Sequence, residues 1–390
     1  MNIINRANLY FLIVSCVSIC VILWIINGIS ISYNEALLYF ENKKIIAKLA
    51  NLSTQAFGVN DFTLRFPNLA FHFINLLLIY LISNRILKYK IDSLLCVGIY
   101  ALLPAVIMQG VLLNESIIVL SIVLFVCYVE LVNEKIAYPL FVLAIFISPS
   151  AFIVFLALFL YSLHKKKLEI AIFALICFGI NMYIYGINIS GRPSGKFLEV
   201  VGELSLLYSP PLFIYYVYTL YRNFSRNKIT LLLYVSVTSL LVSFILSIRQ
   251  GIDKEVFLVM SLCGIPLMVR QFLSDIRIRL PMFQNSYKNR FLIVLIFLVF
   301  EAMLLIFSKQ IYLISNNTDN LFLNQFYIAK EISIELKKKN ISKVKIDDKK
   351  MQKRLKFYGI DEGGQRLKKV SRNGNIIINY NGRIVARYAI

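Results

Sequence analysis

The sequence predicts an all-α, polytopic membrane protein of about eleven transmembrane helices with a small α/β domain at its C-terminal end. Three observations predict this architecture. The chain is 58% hydrophobic and only 16% charged, whereas soluble domains are about half apolar and about a quarter charged. Apolar runs of about 20 residues, the length that spans a bilayer, recur between short polar segments. Residues 310–390 are instead rich in Lys and Arg and contain only short apolar stretches.

The first apolar run follows Arg6 and ends at about Ile29. It is longer than the core of a signal peptide and lacks a small-residue cleavage site, so we expect an uncleaved helix whose N-terminus lies inside the cell. Residues 137–163 fit either one long tilted helix or two short helices broken at Ser148-Pro149-Ser150, and the loop charges favour the break. The remaining predicted spans cover residues 67–84, 92–112, 116–133, 168–187, 205–221, 229–247, 255–271 and 291–309.

The break near Pro149 decides the orientation of every later helix. With this break, the short loops expected inside carry about eleven Lys and Arg residues and those expected outside carry about four, which is the usual sign of an inside loop. We therefore predict a multi-pass protein of the inner (plasma) membrane, with a cytoplasmic N-terminus and a periplasmic or extracellular C-terminal domain. The net charge of +21 follows this distribution, which favours anionic membrane lipids over nucleic acid as partners.

The chain is predicted to contain two domains. A transmembrane domain covers residues 1–309, with its first outer loop at 30–66, and a small α/β domain covers residues 310–390. Within the second domain the patterns predict a helix at 325–339, a strand at 341–346, a helix at 348–358 and a hairpin of NIIINY and RIVARYA around Asn381-Gly382.

The cysteines and histidines offer no metal site. All the cysteines lie in apolar runs, where a thiol behaves as a small hydrophobic group, so neither a disulfide framework nor a Cys-based metal site is predicted. His72 is expected to make a buried polar contact, and His164 to lie at the cytoplasmic end of a helix. We predict no cofactor, and the sequence leaves a divalent metal open.

The first outer loop is the longest polar interruption before the C-terminal segment. Two neighbouring spans need only a few residues to turn around, so a loop of this length is expected to be functional. Its apolar residues alternate with Glu41, Lys43, Lys44 and Lys48, which predicts short amphipathic helices on the membrane surface. Acids and bases share the outer face: Asn34-Glu35, Glu115, Arg65, Arg192, Arg249 and Lys254. A carboxylate can accept a proton from an attacking hydroxyl, and a nearby cation can stabilise a phosphate leaving group.

Several segments resemble one family. The chain reads Asn34-Glu35-Ala36, then Phe57-Gly58, Asp61 and Arg65-Phe66-Pro67. This order is similar to the first loop and second helix of the GT-C-type membrane glycosyltransferases, specifically the protein-O-mannosyltransferase and lipid A aminoarabinose-transferase superfamily. The segments LLNESIIVLSIVLF, IFISPSAFIVFLALFLYSLHKKK and SIRQGIDKEVFLVMSLCGIPLMV are similar to later parts of the same family, so the resemblance spans most of residues 1–309.

The resemblance implies a GT-C fold and the transfer of a hexosyl or pentosyl group from a polyprenyl-phosphate-linked donor, with inversion, to a lipid, glycan or protein acceptor at the outer face. It also implies that the site contains the Asp-Glu motif of the first loop. Two departures stand out. The position of the family's catalytic Asp is occupied by Asn34, whose amide cannot take a proton at neutral pH. The family's His-Pro-Pro motif is replaced by AKLANLSTQ.

The candidate site residues fall into two groups. Glu35, Glu115 and Asn34 are the candidate catalytic residues, and the candidate substrate-binding residues are Arg65, Tyr33, Tyr39, Arg249, Lys254 and Arg192. Each also has a structural interpretation. Glu35 can be a solvated carboxylate, Glu115 a favourable acid at a helix N-terminus, and the cations anchors in the lipid headgroups.

Two functions from different classes agree with these residues. The first is a membrane glycosyltransferase of the cell envelope. The alternative is a non-catalytic GT-C relative that binds a lipid-linked glycan or a partner subunit, which Asn34 suggests. A transporter is disfavoured, because the apolar runs contain no intramembrane charge pair and no matched pair of interrupted helices.

Overall fold

The computed structural model describes residues 3–186, 195–249, 259–314, 323–370, 374–380 and 382–389. Helices dominate this part of the chain. The first half contains α1 (Ile3–Gly28), α2 (Tyr33–Glu41), α3 (Ile45–Phe57), α4 (Asp61–Ile86), α5 (Asp92–Leu102), α6 (Pro104–Val111), α7 (Ser116–Val132), α8 (Glu134–Leu140), α9 (Val142–Ile145), α10 (Phe152–His164) and α11 (Leu168–Tyr185). The second half contains α12 (Phe197–Tyr208), α13 (Pro210–Ser225), α14 (Leu231–Arg249), α15 (Ile265–Ile278), α16 (Pro281–Ile306), α17 (Ile311–Ile314), α18 (Asn324–Lys338) and α19 (Lys349–Phe357).

Six helices in the described ranges are long and apolar enough to cross a membrane, and the number rises to eight if two bent pairs each count as one span. The six are α1, α4, α11, α14, the helical stretch Val259–Ile278 that ends in α15, and α16. The bent pairs are α5 with α6, at 64°, and α12 with α13, at 101°. Two shorter apolar helices, α7 and Ala151–His164, add to these. The all-α membrane architecture predicted from the sequence is confirmed, with fewer helices of full bilayer length than the eleven expected.

The predicted break near Pro149 is present. The Ser148 hydroxyl accepts a hydrogen bond from the backbone N–H of Ser150, and Pro149–Ala151 forms a 3₁₀ turn before α10 begins. The segment before the break differs from the prediction, because it is divided into the short helices α8 and α9. Pro139 lies inside α8, and proline removes a helical hydrogen bond there.

The span predicted at 205–221 is wrong as a single helix. The chain turns sharply at Ser209, whose φ is 75°, and Pro210 then starts α13. Proline suits the first helical turn because its missing N–H is not needed there. The last predicted span, 291–309, begins ten residues too late, since α16 already starts at Pro281.

The C-terminal segment contains a five-stranded sheet in the order β2-β1-β3-β5-β4, formed by β1 (Lys343–Ile346), β2 (Asp361–Glu362), β3 (Gln365–Lys369), β4 (Ile376–Tyr380) and β5 (Arg383–Ala389). β1 pairs in parallel with β2 and β3, while β5 pairs antiparallel with β3 and β4. The predicted helices, first strand and hairpin strands are therefore confirmed, although Asn381 of the turn lies outside the described residues. The strands β2 and β3 were not predicted, because β2 has only two residues and β3 buries only Leu367.

The contacts divide the chain into two compact units. One, called here the helical unit, comprises Met1–Ile19, Ala70–Gln109 and Glu115–Ala302. The other, called here the loop-tail unit, comprises Cys20–Leu69, Gly110–Asn114 and Met303–Ile390. The sequence predicts the first outer loop as part of the transmembrane domain, whereas its contacts group it with the C-terminal segment. The predicted loop helices are present as α2 and α3, and their placement on a membrane surface stays a prediction.

Candidate functional site

The short connector between α1 and α2, residues 29–32, is buried in the loop-tail unit. An extended buried segment must find partners for its backbone N–H and C=O groups outside itself. Ser30 finds one in α18, where its N–H and its hydroxyl both donate to the Phe326 carbonyl, at 2.7 and 2.8 Å. Further partners include side chains of Glu35, Arg65 and Arg354, which lie in α2, α4 and α19. The connector is thus held by elements that are distant in the sequence.

Glu35 is the first of these side chains. Ser32 caps α2, and the two residues form a reciprocal capping box: the Glu35 N–H donates to the Ser32 hydroxyl, and the Ser32 N–H donates to Oε2 of Glu35 at 2.8 Å. The other carboxylate oxygen, Oε1, accepts from the Leu113 N–H at 2.9 Å. The carboxylate therefore ties the start of α2 to the segment between α6 and α7.

Arg65 in α4 completes the carboxylate's shell. Its Nε and one terminal nitrogen donate to the two oxygens of Glu35 at 2.8 and 2.9 Å, a bidentate geometry. The terminal nitrogens also donate to the carbonyls of Ile29 and Ser30, at 3.2 and 3.1 Å. The side chains of Arg65 and Glu35 are 0% and 1% exposed. Two buried charges neutralise each other here, and both also bind the backbone around them.

These contacts decide the protonation of Glu35. Burial alone would raise its pKa, but the charge of Arg65 and the hydrogen bonds from Arg65, Leu113 and Ser32 hold the pKa below its ordinary value. Glu35 is thus ionised at neutral pH, with its oxygens already occupied by donors. A general base needs a lone pair directed at the proton that it removes. The geometry makes Glu35 a structural carboxylate that positions α2.

Pro67 shapes the turn of α4 that carries Arg65. Proline has no N–H, so the carbonyl of Thr63, four residues earlier, loses its helical partner. The Ser53 hydroxyl of α3 donates to that carbonyl instead. Asn68, one residue further along α4, donates to the Leu112 carbonyl at 2.6 Å. The first two turns of α4 are therefore fixed on both sides, which fixes the place of Arg65.

Arg354 of α19 and Tyr358, the residue that follows this helix, bind the middle of the connector. The buried Arg354 donates from Nε to the Ile31 carbonyl at 2.7 Å, and from a terminal nitrogen to the Ser30 hydroxyl at 2.9 Å. The Tyr358 hydroxyl accepts from the Ile31 N–H at 2.9 Å and donates to Asp61 at 2.7 Å. Burial lowers the pKa of Arg354, and burial with the charge of Asp61 raises that of Tyr358. Residues from the end of the chain thus complete the surroundings of the Asn-Glu motif.

Asp61 joins the same network at the start of α4. Its second oxygen forms an ion pair with Lys330 of α18 at 2.9 Å, and Lys330 also donates to the Asn27 carbonyl at 3.2 Å. The acid therefore faces a cation and a phenol at once. Asp61, one of the residues in the motif resemblance, therefore links α4 to α18 and to Tyr358 after α19.

The remaining first-loop candidates have different surroundings. Asn34 is exposed in the first turn of α2, although Glu35 beside it is buried. Tyr33 is half-buried, and the ammonium groups of Lys350 and Lys353 lie 5.7 and 5.9 Å from its ring centroid. Its neighbour on α2, Tyr39, is oriented by a hydroxyl contact with Thr54 at 3.1 Å. Asn34 and Tyr33 are therefore the first-loop candidates with accessible surface beside the capping box.

The other candidates belong elsewhere. Glu115 directly precedes α7 in the helical unit and is 7% exposed. Arg192 and Lys254, and the side chain of Arg249, lie outside the described residues. The structure brings Glu35 and Arg65 together. The predicted role of Arg65 in binding substrate does not fit its fully buried guanidinium, which is engaged by Glu35 and two carbonyls.

Sequence patterns missed Arg354, Tyr358 and Lys330. A local signal exists for Arg354, which is the only Arg in the helix KKMQKRLKF. Arginine is preferred over lysine where several acceptors must be bound by one planar group. Within the described residues no group of three His, Cys, Asp or Glu side chains could hold a metal ion.

The described part of the chain combines apolar helices, a long first loop with a buried Glu-Arg pair and a small α/β tail, and a solved structure shares this fold. The chain is similar to the crystal structure of ArnT from Cupriavidus metallidurans in the apo state, with a TM-score of 0.53. The match covers 92% of this chain and 86% of that one at 11% sequence identity, so it shows the fold alone. It confirms the fold predicted from the motifs. No family model matches the sequence, and no curated protein matches it significantly.

Proposed function

We propose that this protein is a membrane glycosyltransferase that moves a sugar from a polyprenyl-phosphate-linked donor to an acceptor at the outer face of the membrane. One observation carries the proposal. In a chain with this fold, the motif position that the family uses for catalysis, Asn34, is exposed on a helix whose start is fixed by the buried Glu35–Arg65 pair. A site residue needs such a rigid support to hold a reacting group in place.

The similar structure supports the class of donor and acceptor. ArnT is a lipid A aminoarabinose transferase with a GT-C fold. For this chain we propose a lipid-linked donor and a lipid, glycan or protein acceptor. The orientation predicted from the loop charges, with the N-terminus inside and the C-terminal domain outside, would expose Asn34 and α19 on the outer face.

The base that removes the acceptor proton is chosen among the three candidate catalytic residues. Asn34 has no basic lone pair at neutral pH, and Glu35 is occupied by four donors. Glu115 belongs to the segment LLNESIIVLSIVLF, which resembles the family, and we propose that it takes the proton. The phosphate of the donor would be held by Arg249, Lys254 or Arg192.

The test uses the full-length protein in detergent with a panel of polyprenyl-phosphate-linked hexoses and pentoses. Release of polyprenyl phosphate is measured for the parent and for Glu115→Gln, Asn34→Asp and Glu41→Gln. A general base contributes about 10²- to 10⁴-fold, so Glu115→Gln should lower turnover by that factor and leave donor binding largely unchanged. Asn34→Asp should keep or raise the rate.

Glu41→Gln is the matched control, because Glu41 ends α2 and is exposed. It should transfer at the parental rate. If Glu115→Gln also did so, the assignment of the base would be wrong. If the parent and Asn34→Asp both bound polyprenyl phosphate yet released none from any donor, the protein would be a non-catalytic relative that binds lipid-linked glycans.

A further inference from the structure

The helical unit carries a cluster of positive charge around the end of α13 and its turn into α14. The cluster, called here the α13 basic cluster, consists of Arg222, Arg226, Lys228 and Arg270, the last contributed by α15. Asn223 joins the two helices, since its Oδ1 accepts from Arg270 at 3.1 Å and its carbonyl accepts from the Lys228 N–H at 3.1 Å. Cations that repel one another are thus held together by backbone and amide contacts.

Only one member of the cluster has a carboxylate partner in the described ranges. Arg222 pairs with the buried Asp275, whose oxygens also accept from Gln271 at 2.8 Å and Tyr287 at 3.4 Å. Both carboxylate oxygens of Asp275 therefore already accept hydrogen bonds within the helical unit. Arg270, Arg226 and Lys228 form no ion pair with any carboxylate in the same described ranges, and Nε of Arg270 has no hydrogen-bond partner there.

The turn therefore carries unbalanced positive charge. Burial, followed by the charges of Arg270, Arg226 and Arg222, lowers the pKa of Lys228. Two other basic residues of the same unit have acid partners: Arg277 pairs with Asp92, and Lys167 pairs with Glu134 at 2.6 Å.

An apolar stripe runs along α13 to the same turn. Its exposed residues recur every three or four positions: Ile214, Val217, Tyr218, Tyr221 and Phe224. The guanidinium of Arg222 lies 6.0 Å from the ring centroid of Tyr218. Tyrosines at the junction of an apolar stripe and basic residues are typical of a membrane interface. The surface of α13 therefore has an apolar side that can contact lipid acyl chains and a positively charged C-terminal end.

From these observations we infer that the α13 basic cluster binds the phosphodiester headgroup of an anionic phospholipid, whose acyl chains lie along the exposed stripe of α13. The phosphate oxygens accept from Arg270, Arg226 and Lys228, and the negative charge replaces the carboxylate that these three cations lack. Free phosphate could bind the cations but would leave the apolar stripe exposed to water. A phospholipid covers both, so it is the better match. The site is independent of the sugar-transfer chemistry proposed above.

The test is native mass spectrometry of the delipidated full-length protein, titrated with dioleoylphosphatidylglycerol or dioleoylphosphatidylcholine. The exposed pair Arg226→Gln/Lys228→Gln is compared with the parent. Each Lys or Arg beside an anionic membrane surface contributes about 1 kcal/mol, which corresponds to about fivefold in affinity, so the double variant should bind phosphatidylglycerol about 25-fold more weakly. Binding of phosphatidylcholine should be weak in both proteins.

The control is Arg277→Gln, which removes a cation that already has an acid partner. It should bind phosphatidylglycerol as the parent does. The inference is overturned if the double variant binds phosphatidylglycerol as tightly as the parent, or if Arg277→Gln loses as much affinity. It is also overturned if inorganic phosphate displaces the lipid at equal concentration, since the ligand would then be free phosphate.

Discussion

The Arg65–Glu35 and Arg366–Asp347 pairs both join a guanidinium to a carboxylate within the loop-tail unit, at similar distances of 2.8 to 3.0 Å. The first pair is fully buried, whereas the side chains of the second are 58% and 63% exposed. The first also binds four backbone groups, at Ile29, Ser30, Ser32 and Leu113. A short distance alone therefore does not make an ion pair part of the architecture, and the first pair is distinguished by its burial and its backbone partners.

The largest effect is expected from Glu35→Gln. The substitution leaves Arg65 charged and buried without its counter-ion, which costs about 3–5 kcal/mol. The thermal unfolding midpoint of the detergent-solubilised protein should fall strongly. The double variant Glu35→Leu/Arg65→Met should not restore it, because the backbone groups would lose their partners. A double variant as stable as the parent would show that the pair contributes only its mutual charge.

Acidification should also lower the stability of the protein, because it protonates Glu35 of the buried pair. Because the pKa of Glu35 is lowered in the fold, its contribution to stability is complete above its ordinary value of 4.5 and is lost as pH falls through the lowered value. Unfolding midpoints of the parent and Glu35→Gln are compared from about pH 7 to about pH 3. The two curves should approach each other as the pH falls below 4.5. Parallel curves would mean that Glu35 does not titrate with unfolding.

A smaller loss is expected from Arg354→Gln. The shorter side chain leaves the Ile31 carbonyl without its donor, and an unsatisfied buried group costs about 1–3 kcal/mol. Arg354→Lys keeps the charge but cannot bind the carbonyl and the Ser30 hydroxyl with one planar group, so it should be destabilised as well. Full stability of the Lys variant would assign the effect to charge alone.

Tyr358→Phe tests one hydroxyl that both accepts from Ile31 and donates to Asp61. Asp61 keeps Lys330, so the expected loss of stability is about 1 kcal/mol. Chemical denaturation of the two proteins side by side should resolve this difference. A loss as large as that of Glu35→Gln would place the hydroxyl among the principal supports of the connector.

The exposed pair should matter least. Arg366→Gln removes a surface contact that competes with water and salt, and its effect on the free energy of unfolding should stay below about 0.5 kcal/mol. The measurement is the same unfolding experiment at low and high salt. A large, salt-independent loss would contradict the distinction between the two pairs.

The parts of the fold that could be predicted from sequence are those determined by near neighbours. The strands Ile376–Tyr380 and Arg383–Ala389 follow from alternation on both sides of a turn, and the break at Ser148 follows from a capping serine before proline. The bend at Ser209 also has a local signal, the pair Pro210-Pro211. The high hydropathy of residues 205–221 nevertheless favours a single span there.

The candidate site was less predictable, because its contacts join distant positions. Motif resemblance marked Glu35 and Arg65 but gave them separate roles as base and phosphate ligand, and the structure shows one ion pair. Nothing in the spacing of two residues separated by 30 positions indicates that they meet. Arg354 is even further in sequence from the connector that it binds. The sequence of its helix resembles that of a solvated basic helix, and only the structure shows that one face is buried.

The wide separation of these partners has a consequence for how the protein is made. The Ile31 carbonyl leaves the ribosome 323 residues before the Arg354 side chain that binds it. At about 5–20 residues per second, roughly 15 to 65 s pass before this hydrogen bond can form. During that interval the connector has no donor from α19, so a nascent chain that stalls or is cut before Arg354 exposes an incomplete first loop. A helix that is synthesised late, α19, therefore completes the surroundings of a connector that is synthesised early.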